Sequence, residues 1–529
     1  MPRDLQFDEP PPPSRLRPIV AATIACLPFL LFPAIHYRIC GDEATGLTTY
    51  DMPYYTANAR AVLDRGSLGT YPNPFDADPA APSIYFHWLI GLLAILTGPL
   101  GIDPGLALLA IGIAGGWWAA RLMYSLVVEL RGDDAFTLPL YFSTMWGGGL
   151  LALGRIVANL ASERAWNDSL LAFDPGQGLW CLNFGRNLIL PMEAVYHALM
   201  IGLWLAILRR RWRSAATCLA LLASTHPFSG AQALAIVGAW LGVSWRNREQ
   251  RPPMSFYAIW LGVAIAFAAY YFLYLPSYPQ HAALQQTWTL EWTLNGLQMA
   301  LAWGPAAVLA VLSLLSSTAW QRRCRFLMTA AVVSFLLANH HWFMTPRQPI
   351  HFSRGYIWTP LWLMGLPAFS VLLRRPLANP LQMLGVALVL GLTVLDNAAF
   401  LAVSSQRMRD LGFALSTDER RMFESMRQSG LTQVLLADDP RLGYLAAAYT
   451  SVRPYLGHKY NTPSYDRRLE SLQQWMNDEE PGDLLIGCDL FLSTTPESAA
   501  RIEASGWEPM LEHGGLSLWR KVAFRVPAE

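Results

Sequence analysis

The sequence predicts an α-helical polytopic membrane protein of about eleven spans, N-terminus in the cytoplasm and C-terminus outside, with a C-terminal soluble α/β domain. Three observations carry that prediction. Of 529 residues, 53% are apolar and 15% charged, and the mean hydropathy is +0.26, which does not suit an ordinary soluble domain. The charge is also uneven, since 32 of the 77 Asp, Glu, Lys and Arg residues fall in the 126 positions from Ser404 onward. That is the density of a soluble domain, following a region about half as charged. Finally, the basic clusters all fall on one side when the apolar runs are counted as crossings. The net charge of +1 leaves no basic stripe for nucleic-acid phosphates, so nucleic acid is excluded as a partner.

The polar, Pro-rich residues 1–17 form a cytoplasmic tail ending in Arg15 and Arg17. The apolar run after it lacks a small-residue cleavage site and is expected to stay as the first span. The transmembrane domain covers 18–403, with runs near 18–36, 104–129, 136–154, 190–208, 212–227, 229–245, 254–275, 297–316, 326–343, 357–373 and 380–403. Most are close to the roughly 20 residues that a crossing needs, and 212–227 is short. Between them lie RRRWR at 209–213, WRNREQR at 245–251, QRRCR at 321–325, and Arg374 with Arg375. The parity holds if 84–99 lies along the membrane or re-enters it; the other reading is that it crosses and a later run does not. Thr225-His226-Pro227 breaks a helix, which membranes tolerate where the chain borders protein or a watery cavity.

This topology places the first loop 37–103, the stretches 155–189, 276–296 and 340–356, and the α/β domain 404–529 on the outer face. Chemistry is expected there, away from soluble nucleotides, and neither G-x-G-x-x-G nor a P-loop occurs. Six cysteines without C-x-x-C spacing indicate neither a disulfide framework nor zinc.

Loop 37–103 reads GDEATGLTTYDMPYYTANARAVLDRG, then SLGTYPNPFDADP and SIYFHWLIGLL. After Asp51, the apolar Ala57, Ala59, Ala61, Val62 and Leu63 oppose Arg60, Asp64 and Arg65, and Gly66 ends the helix. Such a helix suits a membrane surface, with Tyr54 and Tyr55 at the interface. Asp42, Glu43 and Asp51 could act as a general base, accept a substrate hydroxyl, or pair with Arg38 and Arg60; a solvated surface explains them equally well.

This acidic residue, Tyr pair, Ala/Arg/Leu helix, Pro-rich stretch and His-containing aromatic helix resemble the multi-spanning GT-C glycosyltransferases. The likeness is to the branch of protein O-mannosyltransferases and lipid A aminoarabinose transferases. It departs from their pattern where the acidic pair stands apart from the Tyr pair, and where a His-Pro-Pro-Leu-like element is reduced to His87. The resemblance implies an enzyme of the bacterial inner membrane, its site facing the periplasm, that moves a hexosyl or pentosyl group. The donor would be a polyprenyl-phosphate sugar and the acceptor a glycan, lipid or protein. By the same resemblance the catalytic Asp is Asp51, with Asp42 and Glu43 as rivals, and Tyr54, Tyr55 and His87 are expected at the substrate. A departing lipid phosphate needs cations or hydrogen-bond donors. Arg347 and Arg354, with His340 and His341, are the candidates, Arg186 a weaker one, and interfacial snorkelling is the alternative.

Asp76-Ala-Asp78 has a spacing that can hold a divalent ion, but between prolines it reads better as a turn; no cofactor is assigned. Glu163, Asp168 and Asp174 could face substrate, though a solvated face explains them as simply, and Gly147–Gly149 and Gly154 read as close helix packing. Trp residues at span ends mark interfaces. From Ser404, STDERRMFESMRQ, YDRRLESLQQWM and TPESAARIEAS read as helices, TQVLLAD and DLLIGCD as strands, and two more strands flank Gly514-Gly515. The loop Tyr449–Tyr465 could cover an acceptor entrance or equally be an ordinary long loop, and no catalytic residue is expected in it. A transporter or flippase of a lipid-linked saccharide is the alternative, although no repeat is visible and Asp396 is one of few charges in the spans; a non-catalytic envelope scaffold is another.

Overall fold

The computed structural model describes residues 16–183, 185–188, 190–246, 251–287, 292–373, 380–408, 412–477 and 484–522. The tail through Arg15 and the Arg374-Arg375 cluster lie outside them. Among the described residues, seven helices are long and apolar enough to cross a membrane: Leu16–Glu43, Pro104–Arg131, Pro191–Leu208, Pro227–Trp245, Met254–Ser277, Gly296–Ser316 and Pro380–Gln406. The other expected runs are shorter, broken or more polar. Run 212–227 contains Trp212–Ala223 and run 357–373 contains Trp358–Leu373, while 326–343 lies largely on Thr318–Ala338, which begins in the basic QRRCR region. The segment 84–99 forms the ten-residue helix Trp88–Thr97. At 1.5 Å per residue that is about 15 Å, half of a hydrocarbon core.

The chain folds as two compact units. The first comprises Met1–Phe32, Ile111–Phe267 and Leu290–Arg407, and the second Pro33–Ala110, Ala268–Thr289 and Met408–Glu529.

In the first unit, glycines let helices approach closely, as their small size predicts. A Cβ on Gly112 would lie 2.8 Å from Pro191 Cβ, and one on Gly115 would lie 2.8 Å from Val195 Cγ2. Run 136–154 divides into Thr137–Trp146 and Leu151–Ala161 around Gly147-Gly148-Gly149. Gly147 packs under the Trp358 ring and Gly149 against the carbonyls of Leu301 and Ala302. Three successive glycines lower helix propensity, and the freed backbone groups find partners on other spans. Gly148 N donates to Thr393 O at 2.8 Å and Leu150 N to Leu301 O at 2.7 Å, while Asn397 Nδ2 donates to Gly147 O at 2.9 Å. Asp396 accepts from Leu151 N at 3.1 Å and Ala152 N at 2.8 Å. The charged residue of that span therefore serves as a helix cap from a neighbouring element.

The second unit holds the helix Met52–Arg65, started by Pro53 and ended by Gly66 at φ 70°, and a five-stranded sheet. Its strands are β1 (Val434–Ala437), β2 (Arg453–Pro454), β3 (Leu490–Ser493), β4 (Trp507–His513) and β5 (Leu516–Lys521), in the order β2-β1-β3-β5-β4. The β1 strand pairs in parallel with β2 and β3, and β5 runs antiparallel to β3 and β4. The expected DLLIGCD strand is corrected: residues 484–487 form a turn that buries Leu484, Leu485 and Cys488 in the core. The strand is the following LFLS, buried along its whole length. Periodicity cannot choose between two adjacent short apolar runs. A helix at Pro440–Tyr449, absent from the sequence expectation, carries its own signals: Asp439 as N-cap, bonded to Arg441 N, and Pro440 in the first turn.

Candidate functional site

In the second unit Asp51 is the N-cap residue of Met52–Arg65, yet its side chain makes no capping bond. Its backbone is already helical, φ −81° and ψ −13°, whereas a capping residue needs an extended one to reach the N2 or N3 amide. The carboxylate is therefore left for other work, and 51% of its side chain is exposed. Its neighbour is His458, with Nε2 3.6 Å from Asp51 Oδ1, an electrostatic contact longer than a hydrogen bond. The ring's Nδ1 accepts from Tyr460 N at 3.2 Å and pairs with Asn461 Nδ2 at 2.8 Å. With Nδ1 accepting, the neutral ring carries its proton on Nε2, toward Asp51.

Aromatic rings surround that imidazole. Tyr50, Tyr54 and Tyr444 have centroids 5.0, 5.2 and 5.6 Å from it, and Phe75 stacks on Tyr54 at 6.0 Å. Tyr444 Oη donates to Tyr50 O at 2.6 Å and Lys459 N to Tyr50 Oη at 2.8 Å, which fixes the wall. Burial, with Asp51 nearby, pushes the Tyr54 phenol up to about 12, so it stays a neutral donor. His458 and Tyr444 were not singled out from the sequence; His458 sits in the Tyr449–Tyr465 loop, where no periodicity marks it.

Further along the same helix, Arg60 and Asp64 pair at 3.1 Å, and Ser451 joins them, accepting from Arg60 Nη2 at 2.8 Å and donating to Asp64 Oδ1 at 2.9 Å. They line a cavity of about 440 Å³ with Asn73 and Arg453. Burial raises the Asp64 carboxyl, with Arg60 opposing the shift.

The first unit carries a different cluster. Arg354 is buried, with Nη1 2.6 Å from Glu193 Oε1. Arg186 Nη2 reaches the same oxygen at 3.5 Å, and Arg186 Nη1 donates to Leu179 O. Both guanidiniums lie over the Trp180 ring, 4.8 and 5.7 Å from its centroid, and both Nε groups are buried without a hydrogen-bond partner. Among the described residues the two guanidiniums share the Glu193 carboxylate, and the buried Asp174 adds a further negative charge that favours Arg186. Burial pulls Arg186 down to about 10, with Glu193 opposing and Arg354 reinforcing. His351, between Phe228 and Trp180 with both centroids at 4.5 Å, is pushed well down by burial and both arginines. The snorkelling alternative does not describe Arg354, whose head group is inside. Glu193 was not anticipated, because a single Glu opening an apolar helix reads as an ordinary first-turn acid.

The other anticipated residues are dispersed. Asp42 and Glu43 lie exposed on the 3₁₀ turn Gly41–Glu43. Tyr55 is half-buried against Tyr54, centroids 5.3 Å apart. His87 precedes Trp88–Thr97, and burial pushes its ring down to about 4. His340 is buried, its Nδ1 on Leu337 O at 2.6 Å and its Nε2 accepting from Arg347 N at 2.8 Å. Both ring nitrogens are thus spent on backbone. His341 is half-buried and Arg347 exposed. Asp76 Oδ1 accepts from Asp78 N at 3.1 Å and Asp78 Oδ1 from Ala80 N at 2.8 Å, the bonding of consecutive Asx turns. Among the described residues no three His, Cys, Asp or Glu side chains converge at metal-ligand distance. Glu163 and Asp168 are exposed as expected, but Asp174 departs from the solvated-face reading. It is 1% exposed and accepts from the amides of Gly176, Trp180 and Cys181 at 2.7–3.0 Å, a loop geometry that periodicity cannot show.

No family of known proteins and no curated protein matches the chain in sequence. Among solved structures it is similar to arabinofuranosyltransferase AftD from Mycobacteria, at 15% identity and TM-score 0.53, over 97% of this chain and 40% of that one. It is also similar to ArnT from Cupriavidus metallidurans bound to undecaprenyl phosphate, at 10% identity and TM-score 0.49, over 97% and 99% of the two chains. Archaeal oligosaccharyltransferase AglB from Archaeoglobus fulgidus, in complex with an inhibitory peptide and a dolichol-phosphate, matches at 12% identity and TM-score 0.46, over 92% and 71%. All three are GT-C glycosyltransferases, and the likeness to the mycobacterial enzyme shows the fold alone: this chain shares the fold of that arabinofuranosyltransferase.

Proposed function

We propose that the protein is a multi-pass membrane glycosyltransferase that moves a sugar from a polyprenyl-phosphate donor to an acceptor on the outer face, with Asp51 as the general base. The observation that carries the reading is the open Asp51 carboxylate, released from helix capping and backed by the His458 Nε2–H and a wall of tyrosines. A base must be ionised, reachable and held in place. Half exposure provides access, and the His458 Nε2–H, 3.6 Å from Oδ1, attracts the carboxylate electrostatically. Aromatic faces beside it suit the C–H face of a sugar ring, and the polar cavity of Arg60, Asp64, Asn73 and Ser451 suits its hydroxyls.

In the proposed step the acceptor O–H gives its proton to Asp51 as its oxygen attacks the anomeric carbon. The bond from that carbon to the phosphate oxygen breaks with its electron pair on the oxygen, and the configuration inverts. The departing lipid phosphate calls for positive charge. Arg347 and Arg354 are the candidates for it that the resemblance of the first loop brings in. The eleven-span count with the N-terminus inside, the division at 17 and 403, and the bacterial inner membrane remain part of this proposal. They rest on the placement of the basic clusters and on the first-loop resemblance.

The test is transfer from a labelled polyprenyl-phosphate sugar by the full-length protein in native membranes. Asp51→Asn is expected to stop it while leaving the protein folded. Full transfer by that variant, with loss on Asp42→Asn or Glu43→Gln, would overturn the assignment and move the base.

A further inference from the structure

The cavity of about 440 Å³ in the second unit is lined by the helix Met52–Arg65, the Pro-rich stretch after it and the α/β domain. Its size falls within the roughly 300–1,000 Å³ of small-molecule sites. Ala57 and Ala61 of the helix and Ala447 of Pro440–Tyr449 line it with little side-chain bulk, which leaves flat apolar ground. Pro72, Pro74 and Pro79 also line it, and Arg453 ties that stretch to the domain by donating to Asp78 O and, at 3.3 Å, to Pro79 O.

The polar lining is a donor and an acceptor held side by side. Ser451 Oγ bridges Arg60 and Asp64, and the Arg60 Nε–Asp64 Oδ1 contact at 3.1 Å closes the triangle. Among the described residues Arg60 Nη1 and Asp64 Oδ2 take part in no hydrogen bond, so one donor and one acceptor of the fixed pair remain for a ligand. The cavity also shares its construction with the Asp51 wall. Ala57 and Ala447 belong to one buried apolar cluster with Phe75 and Tyr444, two of the rings beside His458. Asn73, another lining residue, donates from Nδ2 to Asn461 O at 2.7 Å, and the Asn461 side chain holds the His458 ring.

We propose that this cavity binds a ring of an acceptor glycan several units away from the hydroxyl that reacts, which makes the acceptor an oligosaccharide. The inference rests on the reading of Asp51 as the base. Arg60 and Asp64 stand nine and thirteen positions after Asp51 on one helix, about 14–20 Å along its axis, more than a single sugar ring covers. An extended glycan lays one ring against the tyrosines at Asp51 and a later one in the cavity. There a vicinal diol donates a hydrogen bond to Asp64 Oδ2 and accepts one from Arg60 Nη1, while the alanines admit the C–H face of the ring. An acyl chain in the same place would strip water from Arg60 and Asp64 without replacing its hydrogen bonds.

The experiment is binding of the purified full-length protein in detergent to an array of neutral and acidic glycans from one to six rings, with peptides and phospholipids spotted beside them. Oligosaccharides are expected to be retained over monosaccharides. Asp64→Ala is expected to bind them about tenfold more weakly or worse, the effect of losing a hydrogen bond to a charged group, and Glu508→Gln, exposed on β4, to bind them unchanged. Arg60→Gln gives the same reading should thermal unfolding show that Asp64→Ala does not fold. An array that retains no glycan, retention of peptide or phospholipid in its place, or equal binding by folded Asp64→Ala would overturn the proposal. Asp51→Asn is expected to keep glycan binding while stopping transfer, so continued transfer by that variant sinks the catalytic reading, whereas loss of transfer with no glycan bound sinks this one.

Discussion

In the first unit the Glu193 side chain is 7% exposed and meets Arg354 at 2.6 Å and Arg186 at 3.5 Å; in the second, Asp51 keeps 51% of its side chain in the open and faces one imidazole at 3.6 Å. The difference follows from what each carboxylate has to offset. Desolvated guanidiniums are costly unless a counter-charge sits beside them, so Glu193 is committed to holding two cations inside the protein. Asp51 compensates nothing buried, and it is not used by its own helix either. Water supports its charge, and its lone pairs are available to a substrate. A buried carboxylate between arginines is a counter-ion, whereas a half-open one beside an imidazole is open to the role of base proposed for Asp51.

That contrast can be broken in order of expected effect. Asp51→Asn should lower transfer about 10²–10⁴-fold, the usual contribution of a positioned base, with Tm unchanged; a parallel fall in Tm would make Asp51 structural. Glu193→Gln should destabilise the protein by about 3–5 kcal/mol, because two buried guanidiniums lose the carboxylate they share. Thermal unfolding in detergent reads this directly, and a stable, active Glu193→Gln would show that the cluster is solvated in the functioning protein. His458→Phe should lower kcat on the order of tenfold with KM little changed, since it leaves Asp51 in place but unoriented. His458→Gln, which keeps an N–H donor, should recover part of the loss.

The smallest effect is on pH. The His87 ring is held at about 4 in the fold by burial and has an unfolded value of about 6.5. The fold therefore binds fewer protons there than the unfolded chain, so this residue's contribution is complete above pH 6.5 and declines as pH falls toward 4. Tm measured from pH 7 to pH 5 should drop less steeply in His87→Gln; identical slopes would show the ring to be solvated.

Several elements could be read from residue order alone because their signals are local. The helix Met52–Arg65 announces itself through Pro53, its Ala spacing and Gly66, and the glycines at 147–149 through their lack of side chains. The strand at Leu490–Ser493 was misplaced because two apolar runs lie side by side, and its choice depends on which one pairs with β1 and β5. Asp174 and Asp396 were read from composition as a surface charge and a rare intramembrane one. In the fold both accept backbone amides, Asp174 from its own loop and Asp396 from another span 244 residues away. No pattern in the sequence encodes such a pairing.

Residue order by itself predicted a multi-pass membrane protein with basic turns, an acid-bearing first loop and a soluble C-terminal part, since hydropathy and charge act through neighbours in the chain. Tertiary structure decided which charges stay open and which are buried. Asp51 gained His458 from a loop more than 400 positions later, and Glu193 gained Arg354 across 161 positions. Whether a carboxylate is a base or a counter-ion depends on the dielectric and the partners around it, and only the folded chain assembles those.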